Sequence, residues 1–142
     1  MRKIKFKAKD QYNGDWIYGY PLQDSDIRDR WYIMHNYSDG IIIDAKTISQ
    51  FTGLTDKNGK EIYEGDILLS QGQNKKFIQV VEFHNTDKTC GRGWVGINHV
   101  QIELINGEEI KNKISDRFSY FSFPCSCEII GNIHDNPELL TK

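Results

Sequence analysis

Four lysines at alternate positions, Lys3, Lys5, Lys7 and Lys9, are the first residues of the chain whose type and spacing suggest chemistry. On an extended strand such residues share one face, and a row of ammonium groups there makes a surface that can meet phosphates. Nearby aromatics, Tyr12 and Trp16, would add stacking to nucleobases. The competing role is structural: lysines on an edge strand keep its unpaired backbone from recruiting another chain. The formal net charge of −2 favours that second role, because it lacks the basic excess that drives tight phosphate contact. Weak, salt-sensitive nucleic-acid binding through these four lysines is the most that the pattern supports.

The acidic candidates are Glu64, Asp66 and Asp135, with His134 beside the last. Acid and base work needs carboxylates held in opposed environments, and a glycine turn gives Asp66 a simpler task, accepting hydrogen bonds from N–H groups of its own turn. Cys90, Cys125 and Cys127 with His84, His99 or His134 contain the ligand types that zinc prefers. Only Cys125 and Cys127 are close in sequence, and no second paired knuckle accompanies them, so no metal is expected and the cysteines read as small core residues. Cys90-Gly91-Arg92-Gly93-Trp94 places a thiol near a cation but brings no base, and reads as a glycine-rich loop anchored by Trp94. Gly53 to Lys60 imitates a phosphate-binding loop, yet Glu61 stands where a magnesium-binding hydroxyl belongs and the glycine spacing is wrong.

The elements that must position these residues are mostly strands. Ile4, Phe6 and Ala8 alternate with the lysines, Asn13-Gly14 turns the chain, and Trp16 to Tyr20 returns, which is a hairpin pattern. Pro21 to Asp29 reads as a polar loop, Arg30 to His35 as an aromatic strand, and Asp39-Gly40 as a turn into Ile41 to Ile43. From Asp44 the threefold recurrence of Ile48, Phe51 and Leu54 predicts a short helical turn running into a strand. Asp56-Lys57-Asn58-Gly59 is a reverse turn, and Gly65-Asp66 opens the strand Ile67 to Leu69. Phe77 to Phe83 and Trp94 to Ile97 supply further strands, 106–123 reads as an insertion followed by a strand, and Asn136-Pro137 predicts the N-cap and first position of a terminal helical turn.

Several of these segments, in order, resemble the YopX family of small phage and prophage proteins. The matching residues are Ile4 to Ala8, Thr52-Gly53-Leu54 with Asp56 to Lys60, Ile62 to Ile67, Ile130 to Ile133, and Asn136 to Leu140. The resemblance implies an α+β, mostly β fold: an N-terminal α+β portion over about 1–55 and a small SH3-like β-barrel portion over 56–142. It implies no catalytic or binding residues.

A single unit of 142 residues can bury its own core. No apolar run after Met1-Arg2-Lys3 resembles a signal peptide, and no stretch approaches the roughly 20 apolar residues that span a bilayer. An odd cysteine count then points to a reducing cytoplasm in which all three thiols stay reduced. The expectation is a phage-derived accessory or interaction protein of the bacterial host cytoplasm, without a cofactor and more an interaction protein than an enzyme. A protein partner or self-association fits it. The rivals are a nucleic-acid-binding module using Lys3, Lys5, Lys7 and Lys9, and a small metal-dependent or hydrolytic enzyme using Glu64, Asp66 or His134.

Overall fold

A computed structural model describes residues 3–34, 39–71, 75–86, 91–120 and 126–141. Eleven strands run in chain order with one 3-10 turn at the end, Pro137–Leu140, and no α-helix occurs among the described residues. The chain is therefore nearly all β. It divides into two compact units, Met1–Gly53 and Leu54–Lys142.

The first unit is built from β1 (Phe6–Asp10), β2 (Trp16–Tyr18), β3 (Pro21–Gln23), β4 (Trp31–Met34) and most of β5 (Gly40–Thr55), in the spatial order β2-β1-β5-β4-β3. Asp10 closes the first hairpin: its carboxylate Oδ1 accepts the Tyr12 N–H at 2.8 Å, and its carbonyl accepts the Gly14 N–H at 3.0 Å. Ala8, Ile33 and Ile43 form the core of this unit, with Ile17, Trp31 and Ile48 packed against it.

Two expectations change here. Pro21 does not begin a loop but opens an edge strand, where its missing N–H removes no ladder bond. The segment after Asp44 is not a helical turn; it is an irregularity inside β5, opposite Lys7 to Lys9 of β1. Thr47 holds it, its Oγ1 accepting the Lys9 N–H at 2.8 Å and donating to the Asp44 carbonyl at 2.7 Å. The bulging residues imitate a helical period because the strand departs from its alternation of faces.

The second unit contains β6 (Glu61–Tyr63), β7 (Asp66–Gln71), β8 (Lys75–Thr86), β9 (Gly91–Ile105), β10 (Glu108–Tyr120) and β11 (Glu128–Asn132). β6 pairs with β5 beyond the turn at Asp56, and the others make an antiparallel sheet in the order β10-β9-β8-β7-β11. Among the described residues this sheet ends at β10 and β11 without closing on itself, so two antiparallel sheets stand where the resemblance implies a closed barrel, and no α-helix accompanies the first of them. The continuous apolar run Ile67-Leu68 is explained by burial on both faces. Ile67 packs with Ile78, Val80, Val100 and Ile102 on one side, while Leu68 packs with Ile62, Val81 and Cys127 on the other.

The expected insertion at 106–123 is, up to Tyr120, the turn and second strand of a hairpin, and 121–123 lie outside the described residues. Asn106 and Gly107 both have positive φ, 53° and 84°, the pair of conformations that a two-residue primed turn needs. Glu108 to Lys113 of β10 then pair in unbroken register with Ile105 to Val100 of β9.

Candidate functional site

β1 lies between β2 and β5, so the lysine row is not on an edge. Edge protection is thereby overturned, because both sides of this backbone are already paired: Lys7 faces Tyr18 on one side and Ser49 on the other. The ammonium groups meet aromatic faces instead. Lys7 Nζ lies 4.6 Å and Lys9 Nζ 5.5 Å from the centre of the Trp16 ring, and Lys5 Nζ lies 5.4 Å from that of Phe51. Lys7 is only 8% exposed, a burial that an ammonium tolerates when it sits over the negative face of an aromatic ring with its stem in apolar contact. Lys3, outside the strand, is exposed. The row thus runs from exposed Lys3 through half-buried Lys5 to buried Lys7 and half-buried Lys9, unlike a uniform stripe of phosphate ligands.

Among the described residues the buried carboxylates are Asp56 and Asp66. Asp56 Oδ1 accepts the N–H groups of Asn58 and Lys60, both at 2.9 Å, while Oδ2 accepts the Ile129 N–H at 3.1 Å. One carboxylate so shapes the turn and ties it to β11. Burial pushes its pKa up, but the three N–H donors and the Lys60 charge outweigh burial and hold it below the usual carboxylate value. The Asp-x-Asn-Gly spacing marks Asp56 as a turn residue and signals its local bonds but not the long-range one.

Asp66 is buried at the start of β7. Its Oδ2 accepts the Tyr63 N–H at 2.8 Å and its Oδ1 accepts the Asn132 side-chain amide at 3.0 Å. Asn132 Oδ1 accepts the His134 N–H at 3.0 Å, and the Gly65 carbonyl accepts the Ile133 N–H at 2.9 Å. The two glycine-turn motifs that stand far apart in sequence therefore meet as one hydrogen-bonded corner. Asn136 belongs to it too: rather than capping the terminal turn with its side chain, it offers Oδ1 to the Asn132 N–H at 3.4 Å. Gly131 has no Cβ where one would lie 2.7 Å from that same oxygen. Glu64 is half-buried in the turn before Asp66, His134 is half-buried and Asp135 is exposed. No group of three or more His, Cys, Asp or Glu able to hold a metal occurs among the described residues.

Cys127 is 1% exposed and disulfide-bonded, which corrects the expectation that all three thiols are reduced. An odd count forbids complete pairing, yet leaves room for one bond. Cys90 and Cys125 lie outside the described residues, as do the side chains of His84 and His99. Gly91 to Trp94 are not the expected glycine-rich loop but the start of β9, paired with Thr86 to Phe83 of β8; Trp94 packs against the cluster around Leu68 and edge-on to Phe83 with ring centres 5.1 Å apart.

Two antiparallel sheets, with buried acids engaged by backbone amides, define an all-β protein whose most distinctive polar residues hold turns together. The family profile described as YopX protein matches residues 5–141, and the chain belongs to that family. A crystal structure of protein EF1440 from Enterococcus faecalis is similar, at 26% identity over 99% of each chain and a TM-score of 0.46. No curated protein matches the chain.

Proposed function

We propose that this YopX-family chain is a phage- or prophage-derived accessory protein that works inside the bacterial host cell by binding another protein, without catalysis. The observation that carries the reading is the use made of its acids. Asp56 and Asp66, the buried carboxylates among the described residues, spend their oxygens on Asn58, Lys60, Ile129, Tyr63 and Asn132. Acids engaged in this way build turns; a general acid or base needs an oxygen directed at substrate. The bond at Cys127 pulls against a reducing compartment, and rapid alkylation of thiols in intact cells decides that part of the reading.

Cross-linking in host cells, followed by reconstitution with purified components, tests the whole of it. The expected result is a defined protein partner bound stoichiometrically by the pure chain. Two results would replace it. Tight oligonucleotide binding lost on Lys5→Gln and Lys9→Gln would install the nucleic-acid reading, and hydrolysis abolished by Asp66→Asn in a protein that still folds would install the enzyme.

A further inference from the structure

The end of the β9–β10 hairpin offers an interaction surface whose symmetry identifies its occupant. β10 is the last strand of its sheet, and no described strand pairs with its outer side. Glu108 to Lys113 run in regular register with β9, and only beyond Lys113 does the register shift. Such a stretch presents N–H and C=O groups spaced to accept another strand, and bulges like the one that follows it are what usually prevents this. Glu108, Glu109, Ile110, Lys111 and Asn112 are all exposed, and Ile110 and Ile105 lie exposed on one face of the same hairpin end, with Leu104 exposed on the other.

We infer that this edge pairs antiparallel with β10 of a second copy, about a two-fold axis passing through Ile110. The register follows from geometry and charge. A two-fold perpendicular to a sheet sets each residue opposite one that faces the same way, so the axis must pass through a residue pair of identical number. Centring on Glu108 or Glu109 opposes two identical carboxylates, and centring on Lys111 opposes two lysines. Centring on Asn112 brings Lys111 opposite Lys113. Centring on Ile110 sets Ile110 against Ile110 and places Glu109 opposite Lys111 twice, once on each side of the axis. A lysine at a free edge ordinarily repels an incoming strand; in this one register it meets the Glu109 carboxylate of the other copy, which also lies 3.4 Å from Lys76 Nζ of its own chain. Cross-strand apolar and opposite-charge pairs both favour such a ladder.

The ladder is short, so the dissociation constant should lie on the order of tens to hundreds of micromolar, in keeping with a small interface. Sedimentation equilibrium of the full chain across that range tests it. The wild type should form a dimer. Glu109→Lys alone opposes lysine to lysine, Lys111→Glu alone opposes carboxylate to carboxylate, and each should weaken the dimer at least tenfold while circular dichroism shows an unchanged fold. Mixing the two variants restores opposite charges at both pairs, and a one-to-one heterodimer should return. A wild type that stays monomeric throughout, a dimer indifferent to both variants, or a mixture that fails to associate overturns the inference. None of these outcomes touches the binding of a different protein.

Discussion

The Asp66 carboxylate accepts the side-chain amide of Asn132 at 3.0 Å, joining two buried residues 66 positions apart in the chain. Each also serves its own turn, Asp66 through the Tyr63 N–H and Asn132 through that of His134. A bond between two turn organisers couples the start of β7 to the end of β11, and that is the physical content of the paired motifs read in the sequence.

Removing either partner leaves the other buried and short of a bond, which costs about 1–3 kcal/mol per orphaned group. Asp66→Ala and Asn132→Ala should each destabilise the protein by roughly that amount in urea denaturation. Because the two act through one bond, the double variant should cost clearly less than the two singles together. Strict additivity would show that the bond contributes nothing.

Asp56 gives stability a pH dependence of known sign. Its folded-state pKa is lowered, since the N–H groups of Ile129, Lys60 and Asn58 outweigh the upward push of burial. Stability from this source is fully present above the unfolded aspartate value of about 3.9 and is lost as pH falls through the lowered folded value. The stability gap between wild type and Asp56→Asn should therefore be largest near neutrality and narrow on acidification below about pH 4. A gap that stays constant through the acid limb would remove Asp56 as its source.

Cys127 bonding makes a countable claim. With three cysteines in the chain and Cys127 in a disulfide, protein purified without reductant and then denatured should titrate one thiol per chain, rising to three after reduction. Three thiols before reduction would restore the fully reduced state that composition suggested.

Local signals were the legible ones. Asn13-Gly14 and Asn58-Gly59 announce turns because glycine at φ 77° and 79° needs no neighbour to reveal it, and the alternation of Phe6 and Ala8 with lysines shows a strand. Pairing is a different matter. Whether β1 lies at an edge depends on β5, some forty residues away, and the same lysine alternation serves either place. Asn136 has the local spacing of a cap, yet Asn132 claims its side chain. Asn106-Gly107 was available as a turn signal and was obscured by the charged residues after it.

Gly59 tests the local half of that contrast. Its φ is 79° and an added Cβ would meet nothing within 4 Å, so any cost of substitution is backbone strain and not a clash. Gly59→Val should destabilise by about 1 kcal/mol or more, whereas Gly59→Asn, which tolerates this region, should cost far less. Equal effects in thermal unfolding would mean that the positive φ is not what the turn requires.

Lys7 tests the other half, since its role comes from partners that its own neighbourhood does not disclose. If lysines guarded an edge, replacing Lys3, Lys5 and Lys9 with Gln would lower solubility; with β1 held between β2 and β5, solubility should be unchanged. Lys7→Gln should instead cost stability, about 0.5–2 kcal/mol for a partly desolvated ammonium over a ring. The cost should depend little on salt, because buried charges are poorly screened. It should also shrink in a Trp16→Leu background, where the ring beneath the ammonium is gone. Measuring all four chains by urea denaturation closes the cycle, and an undiminished cost without Trp16 would show that the indole is not what holds Lys7 in place.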